Sequence, residues 1–375
     1  MKNVREENGQ VFVAADAMKE LVKKTFFGLG CSEKESLCIA ERLTGANLRG
    51  HDSHGVIRVP RYAQWLGDGI LVANVQPDVV LENEVLAIVD GKQGFGQSVG
   101  EYAVDVGIRK AGTHGVCIVG LKNAGHLGRI GDWAERAAAE GLVSIHMVNV
   151  RGSLIVAPFG GIDRRGSTSP FCAGIPLTSN EPPIILDMAT SVVAEGKALV
   201  AFKGGKPLPN DAIVTGDGTI TGDPSSLYGD TEPGRYPDPN NGTGALRAFG
   251  DHKGGGLNFL MEMMAGALTG SGCSGSLHGP QRPFANGMLS VYLDPQKFGH
   301  QNDGFVAEVK SYVEFVKSSR PTTPGGSVLI PGEKELAVLE ERTQTGLPLA
   351  PQAWQDILDT AHASGMSDTD LKHIL

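Results

Sequence analysis

Gly94-Phe95-Gly96-Gln97-Ser98-Val99-Gly100 follows an apolar run at Leu86–Val89 and opens a helical stretch, so its reading decides the fold. A Rossmann dinucleotide fingerprint is G-x-G-x-x-G, whose glycines serve a tight turn, a close approach to pyrophosphate and close helix–strand packing. Here the spacing is G-x-G-x-x-x-G, one residue too long. The next strand runs into Leu121-Lys122, where the pattern wants an acidic residue to hold a ribose. Both failings exclude a Rossmann site.

On either side of this stretch the pattern is that of a mixed α/β core. Leu86–Val89, Val116–Leu121, Leu142–Val148, Ile184–Leu186 and Met288–Leu293 read as strands. Val99–Ala111 and Asp132–Ala139 carry helical spacing between them. Upstream, residues 13–50 read as two helices, the second opened by an S-x-x-E capping box at Ser32 and Glu35, and a third follows Pro60. Downstream, residues 203–246 are dense in Gly, Pro, Asp and Asn, with a peak at Tyr236–Gly244, which predicts a long surface excursion. Helices are predicted over Leu257–Leu268 and Gly304–Lys317, followed by two more at the C-terminus. The organisation expected is a helical part over 1–84, a sheet-based part over 85–295 and a helical part over 296–375 that packs back on the first.

The 375 residues are 41% hydrophobic and 20% charged, an ordinary globular profile, but 52 glycines signal many tight turns and close backbone approaches. The net charge of −9 and the absence of a basic block argue against nucleic acid, so an anionic ligand needs local cations. Five scattered cysteines with no C-x-x-C pair suggest thiols in a reducing compartment. There is no apolar run of membrane-spanning length and no signal core at Met1–Glu7, so a cytoplasmic protein is expected.

Several segments carry chemistry. In Arg49-Gly-His51-Asp52-Ser53-His54-Gly55-Val-Ile-Arg58, a histidine can lend and retake a proton, and an arginine can grip a carboxylate with two parallel bonds. One helical turn puts His54 and Arg58 on one face, although Gly55 and Pro60 disfavour it; the plainer reading is a polar loop between helices. A metal site at His51 and His54 is the weaker alternative, since no further ligand set appears. Asn123–Gly131 sits between a strand and a helix, where glycines 125, 128 and 131 bare backbone amides for a pyrophosphate and Arg129 adds a cation. An ordinary turn with a capping His126 explains it equally well. Ile184-Ile185-Leu186-Asp187-Met188-Ala189 ends a strand in a carboxylate, Gly250–Leu257 carries His252, and Pro331-Gly-Glu333 reads as a helix start.

In this order the segments resemble the type 2 malate/L-lactate dehydrogenase family over nearly the whole chain. The shared motifs are Gly50-His-Asp-Ser-His-Gly55, Gly125-His-Leu-Gly128, Ala157-Pro-Phe-Gly160, Leu186–Ser191, Gly196-Lys197, His252-Lys-Gly254 and Pro331-Gly-Glu333. Arg129–Glu135 and Ser169–Cys172 look closest to the hydroxycarboxylate dehydrogenase B branch. The resemblance implies a mainly antiparallel-sheet cofactor domain with helices from both chain ends, a homodimer, NAD or NADP as cofactor, and a small anionic 2-oxo or 2-hydroxy acid as substrate. It implies His54 as proton donor and acceptor, Ser53 and Asp187 relaying or orienting, and Arg58 on the substrate carboxylate. Cofactor contacts are implied at His54, Gly128, Arg129, Ile130, Ile185, Leu186, Asp187, Met188, Ala189, His252, Asn286, Glu333, Lys334, Glu335 and Leu336. His126 lies beside the nicotinamide in related members and is in some a rival for the acid role. The chain departs from the family pattern at Ser167-Thr-Ser-Pro170, at Ala124 and over 229–246. Cyclic-imine reduction is the runner-up reaction. A decayed dinucleotide-binding protein is disfavoured by the presence of His54, Arg58 and Asp187, and a hydrolase by the lack of a G-x-S-x-G elbow around Ser53.

Overall fold

The computed structural model describes residues 3–203, 207–230, 237–277, 283–299 and 304–375. Its centre is a seven-stranded sheet. The strands run in the order Asp78–Glu82, Leu86–Asp90, Val116–Ala124, Ala285–Leu293, Val143–Arg151, Phe171–Ile175, Ile184–Met188. Only Leu86–Asp90 with Val116–Ala124 pairs in parallel; every other pairing in the sheet is antiparallel. A mainly antiparallel, non-Rossmann α/β fold is therefore what the sequence builds. All five predicted strands are present, each extended at one end by one to three residues, and the one expected at Leu142–Val148 begins at Val143. Asp78–Glu82 and Phe171–Ile175 were not read from the sequence, nor was the hairpin Val4–Glu7/Gln10–Val13 that Leu347–Leu349 joins.

Three large clusters of buried side chains divide the molecule, beside a small one of Ala157, Val214 and Ala245. The first interleaves the chain ends: Met18, Leu21, Phe26 and Leu43 pack with Leu347, Trp354, Ile357 and Ile374. The helices supplying it are Ala15–Gly28, Glu33–Leu48, Pro351–Ala363 and Asp368–Ile374. The C-terminus thus carries three helices, Glu333–Thr345 included, where two were expected. Ser32 does accept from the Glu35 amide. The capping box is only half made, because the Glu35 carboxylate instead takes the Asn74 amide and the Ser98 hydroxyl.

The second cluster lies on the sheet, under the helices Gly96–His114 and Gly131–Ala139, with Val99, Leu121, Leu127, Trp133 and Tyr292 at its heart. The third corrects the expected surface excursion: Leu208, Ile213, Leu227, Tyr228 and Leu246 are buried against Val193 and Leu199. Arg164 pins this segment by donating to the carbonyls of Leu227, Pro239, Gly242 and Gly244. Residues 204–206 and 231–236 of the excursion, Tyr236 among them, lie outside the described residues. The helix expected at Leu257 begins at His252, and its second half, Glu262–Leu268, is wound as a π-helix. Gly304–Lys317 is a helix as predicted, with no buried residue.

Candidate active site

The His54 segment is not the single helical turn that the His54/Arg58 spacing invited. Two short 3₁₀ turns, Asp52–His54 and Val56–Arg58, are broken at Gly55, whose backbone is extended. The break is forced by a close neighbour: a Cβ on Gly55 would lie 1.9 Å from Asn47 Oδ1, which accepts the Val56 amide at 2.7 Å. Asp52 is held in turn by the two-pronged guanidinium of Arg342, at 2.5 and 3.0 Å, which fastens the Glu333–Thr345 helix to this loop. Gly196 has a similar purpose, since its Cβ would fall 2.3 Å from that of Ser53.

His54 then faces a cavity of about 510 Å³, within the range of small-ligand sites. Ser53, His126, Gly128, Arg129, Ile130, Asp187, Met188, Ala189, Asn286, Lys334 and Glu335 share its wall. A second cavity of about 450 Å³ is lined by Ile185, Gly332 and Leu336, and both cavities include Arg49, Arg129 and Glu335 in their walls. Eleven of the expected site positions thus meet at the first cavity beside His54, and Ile185 and Leu336 at its neighbour. Leu186, Glu333 and His252 line neither. Glu333 is paired with Lys317, and exposed His252 lies edge-on to Phe159.

The imidazoles of His54 and His126 are stacked, with centroids 5.5 Å apart and planes 13° apart. Burial first, then the charge of Arg58, pushes His126 down to about 3. Burial and the His126 ring, followed by Arg58, His51 and Lys197, hold His54 well below the usual histidine range. Both rings are therefore neutral at pH 7. Ser53 Oγ lies 2.9 Å from His54 Nδ1. Tyr62 Oη lies 2.6 Å from His126 Nδ1 and accepts from Gln97 Nε2 at 3.0 Å. Burial pushes the Tyr62 phenol up to about 12, against the opposing pull of Arg58 and the Gln97 bond.

Three expected roles are relocated by this geometry. Arg58 does not line the cavity; it donates to the Ser53 carbonyl at 2.6 Å and pairs with Glu195 at 3.2 Å, although its charge still reaches both histidines. Asp187 does not touch His54: its carboxylate accepts the Gly131 amide at 2.7 Å, filling the helix N-terminus expected to receive a pyrophosphate. Arg129 is buried and neutralised by Asp132 and Glu135, so it offers no spare cation there. Two cavity-lining cations have no ion pair among the described residues, Lys334 and Lys197; Lys197 is flagged in the sequence only by its place in Gly196-Lys197. Tyr62 and Gln97 were also missed, as nothing local marks them. Among the described residues there is no group of His, Cys, Asp and Glu able to hold a metal ion.

The walls fit a dinucleotide with a small acid at its end: two adjoining cavities, a donor and acceptor pair of imidazoles, and an available ammonium. Comparison with known proteins agrees. Residues 13–358 match the family model described as malate/L-lactate dehydrogenase. The hydroxycarboxylate dehydrogenase B of Escherichia coli (strain K12) is 36% identical over 368 residues, 98% of each chain. The solved malate dehydrogenase of Pyrococcus horikoshii superposes with a TM-score of 0.83 at 28% identity, covering 97% of this chain and 98% of that one. The δ1-piperideine-2-carboxylate reductase of Pseudomonas syringae pvar. tomato superposes with a TM-score of 0.77 at 26% identity, covering 93% and 99%. The resemblance read from the seven motifs is borne out.

Proposed function

Because the chain belongs to the malate/L-lactate dehydrogenase family of oxidoreductases, we propose that it interconverts small 2-oxo acids and 2-hydroxy acids with NAD(H) or NADP(H) as the partner. The observation that carries this is the stacked His54–His126 pair at the wall of the cavity. When bound, the nicotinamide supplies or takes the hydride at C2. Gly128 to Ile130, Asp187 to Ala189, Asn286, Lys334 and Glu335 would hold the cofactor's near half, and Ile185 and Leu336 its far half. The imidazoles hold and move the proton of the C2 oxygen. Neutral rings suit the oxidation direction, in which a base must accept a hydroxyl proton. Lys197 from the cavity wall and Arg58 through its charge offset the substrate carboxylate, in a chain whose net charge is −9.

The test is the oxidation of NADH and of NADPH against a panel of 2-oxo acids, with a cyclic imine-2-carboxylate as a further arm. Turnover of the imine alone would replace this reaction by the runner-up. Loss of nicotinamide oxidation with every acid would end it.

The same proposal includes a homodimer. The helix starting at His252 and its π-wound second half leave Phe259, Leu260, Met263 and Leu268 exposed, an apolar set a monomer rarely keeps in water. Light scattering that gave a fully active monomer would remove it. No helix among the described residues is long and apolar enough to cross a membrane. The five unpaired cysteines fit a cytoplasmic setting, which fractionation of cells would check.

A further inference from the structure

Gln97 belongs to the Gly94–Gly100 stretch that failed as a dinucleotide fingerprint, yet its side chain ends at the candidate site. Its Nε2 donates to the His126 carbonyl oxygen at 3.3 Å and to Tyr62 Oη at 3.0 Å. A carbonyl oxygen only accepts, so the end of the Gln97 amide that faces it must be the NH₂. That same NH₂ meets Tyr62, whose oxygen is thereby the acceptor. Tyr62 has one hydrogen, and it is left for the 2.6 Å contact with His126 Nδ1. Nδ1 is then the bare nitrogen, and Nε2 carries the ring proton. His54 has no such constraint, because the Ser53 hydroxyl at its Nδ1 can donate or accept.

We propose that Gln97 and Tyr62 are positioning residues that lock His126 as its Nε2–H tautomer and resupply the proton it gives up. The proposal rests on the reading of the site as a 2-oxo acid reductase. As the hydride reaches C2, the carbonyl π pair becomes a lone pair on oxygen. The His126 Nε2–H bond breaks and its proton closes the hydroxyl group. The Tyr62 O–H bond breaks in the same movement, and its proton goes to Nδ1. The products are a 2-hydroxy acid, a neutral His126 in the opposite tautomer, and a tyrosinate that faces the Gln97 N–H and the charge of Arg58. Once product leaves, the Nδ1 proton returns to the tyrosinate oxygen and Nε2 takes a proton from water, which restores the starting tautomer. In oxidation each transfer runs backward. A neutral ring needs such a partner, since giving a proton alone would leave an imidazolate; burial and Arg58 keep His126 from holding two.

The decisive experiment is ¹⁵N NMR of protein labelled at histidine, with the His126 signals assigned from a His126→Gln variant. Protonated and bare ring nitrogens resonate far apart. Wild type should show a protonated Nε2 and a bare Nδ1. Gln97→Glu replaces the donor by an acceptor of equal size, draws the Tyr62 hydrogen to itself and should move the ring proton to Nδ1. With a 2-oxo acid, Gln97→Glu and Tyr62→Phe should each lower kcat by about 10²-fold or more, with KM little changed. A proton inventory in mixed H₂O and D₂O should be curved in wild type and linear in Tyr62→Phe. A protonated Nδ1 in wild type, or full kcat in Tyr62→Phe, would overturn the proposal. The tautomer is read on the protein alone, so a wild type that reduces no 2-oxo acid would sink the functional reading while the spectra still decide the lock.

Discussion

Gly96 and His126 meet backbone against backbone: a Cβ on Gly96 would lie 2.2 Å from the His126 carbonyl oxygen. One step away, the Gly125 amide donates to the Gly94 carbonyl at 2.8 Å. The glycines of the two turns therefore serve each other and need no phosphate to explain them. Gly96→Ala should destabilise the protein by about 1–3 kcal/mol or more, because the clash is with backbone that cannot step aside. It should also carry His126 away from Gln97. Gly112→Ala, later in the same helix, meets nothing within 4 Å and should be neutral or stabilising by about 0.5–1 kcal/mol. Urea midpoints of the two variants check this; equal stability would mean that the turns separate without strain.

Acid should unfold the protein through its buried histidines. His54, His126 and His146 are all held below the ordinary histidine value of 6.5, His126 and His146 to about 3, with burial as the leading cause. His146 sits inside the sheet between the Ser144 and Ser290 hydroxyls, at 3.0 and 2.8 Å, with no charge beside it. Depressed histidines are charged in the unfolded chain and neutral in the folded one, so their stabilising effect is complete above pH 6.5. It is lost as the pH falls from there toward 3, because the unfolded state binds protons that the native state refuses. Three such groups give a slope of up to about 4 kcal/mol per pH unit. His146→Asn should flatten the slope by about one third in denaturation series between pH 7 and 4. An unchanged slope would show that His146 is protonated in the native state.

The ladder of strands and the order of motifs were legible because both are local patterns of a few residues. What the sequence hid was who meets whom across the fold. Arg58 stands four residues from His54, yet its ion-pair partner, Glu195, is 137 positions away. Asp187 ends a strand as expected, but its carboxylate finds the Gly131 amide 56 positions back. Gln97 stands in a stretch that failed as a fingerprint and Tyr62 in a plain helix, and no local pattern shows that both meet His126. The Gly- and Pro-rich composition of 203–246 agrees with the short elements seen among its described residues. It says nothing about burial, which here comes from Leu227 and Tyr228 and from the guanidinium of Arg164.

Arg164 is accordingly a test of that segment. Its guanidinium is partly dehydrated, which lowers its pKa, and it donates to four carbonyls. A lysine has one compact donor group and cannot span them. Arg164→Lys should cost about 1–3 kcal/mol and expose the 227–246 segment to limited proteolysis before global unfolding. Cleavage at wild-type rates would show that the apolar contacts of Leu227 and Tyr228 suffice.

The substrate carboxylate distinguishes Lys197 from Arg58. A 2-oxo acid brings a negative charge beside the reacting carbon, and most cavity-wall cations are already engaged: Arg49 and Arg129 with Glu135, Arg342 with Asp52. Arg58 is close enough to lower both histidines but is shared with Glu195, itself bonded by Tyr228 at 3.0 Å. Lys197 stands at the wall with no ion pair among the described residues. If its ammonium meets the carboxylate, Lys197→Met leaves that charge unpaired at a cost of about 2–5 kcal/mol. That corresponds to a fall in kcat/KM of roughly 30- to 3,000-fold, carried by 2-oxo acids and not by their amides. Arg58→Leu should act differently, since it removes a charge that lowers both histidines and takes the guanidinium from Glu195: kcat falls for acid and amide alike, and the acid preference survives. The deciding measurement is the ratio of kcat/KM for an acid to that for its amide in wild type and both variants. A ratio abolished by Arg58→Leu and kept by Lys197→Met would return the clamp to Arg58. A ratio kept in both would remove either residue from carboxylate recognition.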